Sequence, residues 1–130
     1  MDVVAYERTD LSGVVALCAA EGWRSYADEP ERTGRVLVAP GVTTVVARDG
    51  RTVVGFAYVQ SDGEIQAHLS CIAVATTHRR RGIARAMLHE AHRQAGGTRI
   101  DLLTDTAVEF YASLSHQRHE GFRIYPPFVS

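Results

Sequence analysis

Runs of β-branched and alternating apolar residues give way, at several points along the chain, to apolar positions recurring every three or four residues. VVAYERTD, 3–10, opens as a short strand, and Asp10 is placed to cap the helix that follows. That helix, LSGVVALCAAEGW, gains an apolar side from Leu11, Val15, Leu17 and Cys18, with Gly22 and Trp23 near its end. Residues 24–31 read as a polar connection, and 29–39 as a second, weaker helix with Pro30 in its first turn and Leu37 and Val38 near its end. Residues 43–50 and 51–63 read as strands, ending in the turn signals Asp49-Gly50 and Asp62-Gly63. With the strand-like run 64–75 they form an antiparallel set. From Gly82 the apolar period lengthens: Ile83, Met87 and Ala91 make one ridge, with Ala84, Leu88 and Ala91 beside it, until Gly96-Gly97 stops the helix. Residues 98–104 form a further strand, so strand, helix and strand make a parallel crossover. Residues 106–114 read as a short last helix and 121–125 as a final strand that Pro126-Pro127 ends.

The expected class is therefore α/β, with a mixed central sheet: antiparallel N-terminal strands, then a parallel crossover. The 130 residues fit one domain, 1–130. A net charge of -1 argues against a nucleic-acid-binding protein, which needs a broad basic surface. No apolar run is long enough for a membrane span, and no basic start leads into a leader-like segment. Cys18 and Cys71 both fall in apolar segments and read as buried free thiols, which points to the cytoplasm.

The basic residues are bunched in HRRRGIARAML, 78–88. A helix leaves its first backbone N–H groups unpaired, and a glycine at its start lets an anion approach the backbone. Arg79, Arg80 and Arg81 add charge, yet they stand at the end of the helix where positive charge is unfavourable. A bound pyrophosphate compensates for that. A solvated basic turn is the plain alternative.

The stretch Arg79-Arg80-Arg81-Gly82-Ile83-Ala84 resembles the cofactor motif Gln/Arg-x-x-Gly-x-Gly/Ala of the GNAT superfamily of N-acetyltransferases. The resemblance extends to CIAV, 71–74, as the end of the family's fourth strand, to 98–104 as its fifth, and to Phe110-Tyr111 followed by Gly121-Phe122. Thr76 and Thr77 stand where the family usually has a proline. The family core ends in two strands after the last helix, and only nine residues follow Gly121, so the last strand is expected to be short, missing or supplied by a second copy. An edge left open in that way favours a homodimer.

The resemblance implies acetyl-CoA as co-substrate and a small-molecule or peptide amine as acceptor, with no metal. It places the pyrophosphate on the backbone of Arg79, Arg80, Arg81, Gly82, Ile83 and Ala84, and the pantetheine arm on Ile72 and Val74. Ile72 is the first donor toward the thioester carbonyl. Tyr111 is the candidate acid for the departing thiolate, or else a tyrosine that packs its helix on the sheet. By strand parity His68, Ser70, Ile72 and Val74 share one face. His68 is the titratable member and the candidate base, or else a histidine satisfied within the sheet; Glu64 is the second choice. Glu21, Trp23 and Tyr26 lie where the family borders its acceptor, and equally read as surface and core. Residues 116–120 form an unusual insertion beside Tyr111, in which His116 and His119 have metal-site spacing without further ligands. Arg118 and Arg123 are candidates for an acidic acceptor or a cofactor phosphate. A non-enzymatic acyl-CoA-binding module with the same fold is the alternative reading.

Overall fold

The computed structural model describes residues 1–127. Its frame is a five-stranded sheet whose spatial order follows the chain. The strands are β1 (Asp2–Ala5), β2 (Val42–Asp49), β3 (Thr52–Ser61), β4 (Gln66–Val74) and β5 (Arg99–Asp101). The first four are antiparallel, and β4 pairs with β5 in parallel through the crossover helix α4 (Ile83–Ala95), as the sequence pattern required. The remaining helices are α1 (Leu11–Glu21), α2 (Arg24–Ala27), α3 (Pro30–Leu37) and α5 (Val108–Ala112). The segment expected to be only a polar connection thus contains one helical turn, α2. It is fastened at both ends, by Ala27 N–H to Trp23 C=O and by Arg24 to Asp28.

The helices divide between the two faces of the sheet. On one face α1 to α3 cover Val46, Phe56, Tyr58, Cys71 and Ala73. On the other, α4 sets Ile83, Met87 and Ala91 onto Val45, Ala47, Val54, Ala57, Val59 and Leu69. This is the ridge read from the sequence. Gly55 lets α4 sit so close: a Cβ there would lie 3.0 Å from Met87 Cε and 3.2 Å from the Ala73 carbonyl oxygen.

Three local expectations are revised. Asp10 ends at the N-cap of α1 but makes no capping bond. Its buried carboxylate accepts the Glu7 N–H and a two-point bond from Arg48, 2.9 and 2.7 Å, so it ties the start of α1 to β2. The β3–β4 turn is wider than a two-residue hairpin, because Asp62 accepts the N–H groups of Glu64, Ile65 and Gln66. Residues 121–125 do not form a strand. β5, expected over 98–104, stops at Asp101 and is the short last strand of the sheet among the described residues. Phe122, Ile124 and Tyr125 stand 64–81% exposed beyond it. A strand pattern without a cross-strand partner and a layer to cover has nothing to hold it extended.

Candidate active site

The gap between β4 and β5 frames the site. Their parallel pairing covers only Gln66 to His68 against Arg99 to Asp101, while β4 runs on to Val74. Leu69 to Val74 therefore have no strand partner on that side among the described residues. Ala75 donates its N–H across to Val54 on β3 at 2.8 Å. By strand alternation the amides of Ile72 and Val74 face the other way, into the gap.

At the mouth of this gap the chain makes a 3₁₀ turn, Thr76–His78, and then enters α4. His78 pins the turn, with one ring nitrogen 2.7 Å from Thr77 Oγ1 and the other 2.9 Å from Asp49 Oδ2. Arg80 (φ 63°) and Gly82 (φ 79°) are both left-handed. Such alternation turns successive N–H groups toward one concavity, which suits an anion. The first intrahelical bond runs from Ala86 N–H to Gly82 C=O, leaving the amides of Ile83, Ala84 and Arg85 without helical partners. Open space surrounds the position where a Gly82 Cβ would stand. Arg80 and Arg81 are exposed beside it.

Arg79 behaves differently from its neighbours. Its Nε donates to the Val74 carbonyl at 3.1 Å and its Nη2 to Glu21 Oε1 at 2.7 Å. It is thus a strut from the turn to the end of α1. Glu21, a candidate acceptor contact or else a surface residue, is engaged in this ion pair.

Tyr111, on α5, packs against the α4-side core, the same cluster that Ile72 and Val74 pack against. Burial, reinforced by the nearby Cys71 thiol, pushes its phenol above the ordinary tyrosine range. It therefore holds its proton throughout the neutral range. Ring edges of Phe110 and Tyr111 meet at a centroid distance of 5.0 Å.

The expected common face of His68, Ser70, Ile72 and Val74 does not exist. β4 carries a bulge: Tyr58 pairs with Cys71 and Val59 with Leu69, so Ser70 is an extra residue. Leu69, Ile72 and Val74 pack on the α4 side, whereas Cys71 and Ala73 belong to the α1 side. His68 pairs with Gln60 and lies exposed on the α1 side, at the other end of β4 from the turn. It lines a shallow cleft of about 400 Å³ with Pro40, Gly41, Gln60, Ser61, Asp62 and Gln66. The structure thus places Tyr111 on the same side of the sheet as Ile72 and Val74, and His68 on the other.

Trp23 and Tyr26 are half-buried against the α1-side core, with Trp23 edge-on to Phe56 and Tyr26 edge-on to Tyr58. The Tyr26 and Tyr58 hydroxyls are 2.6 Å apart. Sequence reasoning passed over Tyr58, and the available signal was slight: a tyrosine at i+2 from Phe56 on a strand with a buried face. Burial raises the Tyr58 phenol and the Cys71 thiol above their ordinary ranges, and the Cys18 thiol to about 12. Both cysteines are free and buried. Such thiols are poor nucleophiles.

Comparison with known proteins agrees with this geometry. A family model described as an acetyltransferase (GNAT) domain matches residues 40–115. The aminoglycoside N-acetyltransferase AAC(6')-Iy, solved in complex with CoA, superposes with a TM-score of 0.81 at 18% identity, covering 98% of this chain and 95% of that one. A ribosomal-protein-alanine N-acetyltransferase from Brucella melitensis biovar Abortus 2308 gives 0.77 at 16% identity, covering 95% and 96%. An aminoglycoside acetyltransferase, HMB0005, from an uncultured soil metagenomic sample gives 0.71 at 25% identity, covering 99% and 98%. Among curated proteins no sequence match was found. No helix among the described residues is long and apolar enough to cross a membrane.

Proposed function

The chain belongs to the GNAT acetyltransferases, and from that premise we propose that it moves the acetyl group of acetyl-CoA to a primary amine by direct attack. The observation that carries this reading is the juxtaposition of the Arg79–Gly82 turn with the unpaired edge of β4. The free amides of Ile83 and Ala84, with Arg80 and Arg81, fit a pyrophosphate. The gap-facing amides of Ile72 and Val74 fit the pantetheine arm, while Arg79 organises the turn through Val74 and Glu21.

In the transfer the amine nitrogen bonds to the carbonyl carbon and the carbon–sulfur bond breaks. Charge developing on the carbonyl oxygen needs a donor, and the Ile72 N–H is the candidate. The departing thiolate needs a proton, and Tyr111, on the same side of the sheet as Ile72 and Val74, is the candidate to give it. The attacking amine must lose a proton; with His68 across the sheet from Ile72 and Val74, an amine that binds already deprotonated meets this need without a dedicated base. Trp23 and Tyr26 offer aromatic surface to a small-molecule or peptide amine. Exposed Phe122, Ile124 and Tyr125, together with the edge that the short β5 leaves, support association of two copies.

The test begins with calorimetric titration of acetyl-CoA and dephospho-CoA into wild type and an Arg81→Ala, Gly82→Glu double variant. Micromolar binding of acetyl-CoA is expected in the wild type, and its loss in a folded variant. An amine panel read by thiol release then compares wild type with Tyr111→Phe. The wild-type rate is expected to fall at alkaline pH, once Tyr111 ionises above the ordinary tyrosine range, and the variant to be slow without that limb. Absence of acetyl-CoA binding by folded wild type overturns the reading. Binding without transfer to any amine favours an acyl-CoA-binding module.

A further inference from the structure

A chain of polar side chains runs through the α1-side core and ends on the β4 bulge. The half-buried Tyr26, on α2, meets the buried Tyr58, on β3, through a 2.6 Å hydroxyl contact. Tyr58 pairs with Cys71 across the ladder, next to the register shift. The extra residue of the bulge, Ser70, accepts a bond from Gln60 Nε2 at 2.9 Å, and Gln60 lies two residues on from Tyr58 in β3. Val14, Leu17, Cys18, Leu37, Val46 and Phe56 surround this chain on the apolar side.

Polar atoms inside such a cluster are costly unless paired, and a second phenylalanine beside Phe56 would fill the space without that cost. What the hydroxyls add is direction. The bulge disrupts the β3 ladder locally, and on its other edge β4 has no strand partner beyond His68. Backbone bonds therefore fix Ser70 to Ile72 from one side only. We infer that Tyr58, braced by Tyr26 and paired with Cys71 beside the bulge, is a positioning group for acyl transfer: it sets the bulged backbone so that the Ile72 amide, facing the gap, is aligned on the thioester carbonyl. The inference rests on acetyl-CoA being the donor. Tyr58 itself touches no reacting atom, and its effect passes through the backbone.

The experiment uses the full chain and acetyl-CoA labelled with ¹³C at the acetyl carbonyl. Isotope-edited infrared difference spectra report how strongly a donor polarises that carbonyl, and calorimetry reports affinity in parallel. For the wild type the carbonyl band moves to lower frequency on binding. For Tyr58→Phe the shift largely disappears, the dissociation constant stays within about threefold, and acetyl transfer falls about tenfold to a hundredfold, as for a misaligned donor. Tyr26→Phe, altered at the half-buried end, gives an intermediate shift and answers the question should Tyr58→Phe fail to fold. Met87→Leu, on the α4 side, loses stability without altering the band. A full wild-type shift in folded Tyr58→Phe, or in Tyr26→Phe where the former does not fold, overturns the inference alone. A wild type that does not bind acetyl-CoA overturns the donor reading together with it.

Discussion

The two faces of the sheet are built from different materials. The α4 face is aliphatic: Val45, Val54, Ala57, Val59, Leu69, Ile83 and Met87 fill it, and shape alone holds it together. The α1 face interleaves its apolar residues with hydroxyls and thiols, and is closed at one end by the Asp10–Arg48 pair. The first face needs only to seat a helix whose N-terminus serves the gap. The second stands behind the bulged strand, where directions matter as well as volumes. Packing thus dominates one side and pairing the other, and substitutions should separate them.

The largest expected effect is on the aliphatic side. Met87 is fully buried against Gly55, and Met87→Ala should cost about 2–5 kcal/mol in denaturant unfolding. The loss should be nearly the same at pH 5 and pH 8, because the buried cluster that Met87 belongs to is apolar. A strongly pH-dependent loss would break the comparison.

Asp10→Asn comes next. Arg48 would keep its charge with its main partner neutralised, and since Arg48 is partly exposed the cost should be about 2–3 kcal/mol, below that of a fully buried pair. Burial tends to raise the Asp10 pKa, but the Arg48 bond and the Glu7 N–H outweigh it and hold it below the ordinary carboxylate value. The stabilisation is therefore complete above the unfolded pKa and is lost as pH falls through the lower, folded one. Wild type and Asp10→Asn should converge in stability in that acid window, and parallel curves would show that the carboxylate contributes no charge-dependent stability.

Glu21→Gln should do least. The Arg79–Glu21 pair is substantially solvated, so stability should change by less than about 0.5 kcal/mol, with moderate salt erasing even that. A loss several times larger in thermal melts would mean that the strut holds α1 in place.

The aliphatic side is also the side the sequence discloses. Ile83, Met87 and Ala91 recur at helical spacing, and the Arg79–Gly82 turn and Phe110-Tyr111 are contiguous, so a linear reading finds them. The bulge escapes it. Inserting Ser70 leaves β4 looking like an ordinary alternating strand, yet it moves Ile72 and Val74 to the face opposite His68. Parity is a cumulative count, and one extra residue resets it. The Arg79–Glu21 contact spans 58 positions and the Tyr26–Tyr58 contact 32, and no local pattern announces either. The reading of 121–125 as a strand failed for the converse reason: alternation was present in Phe122 and Ile124, but β5 ended too soon to receive it.

The short seam between β4 and β5 has a consequence for the lifetime of the molecule. β2, β3 and β4 form a meander of neighbours in sequence, whereas β5 is held by three paired positions. Amide exchange should be slowest in the meander, with the seam opening first. A donor lying in the gap would bridge that seam. Free acetyl-CoA at a hundredfold excess over its dissociation constant would add about 2.7 kcal/mol by mass action. The concentration of free acetyl-CoA would then set how long each copy survives proteolysis as well as how fast it turns over.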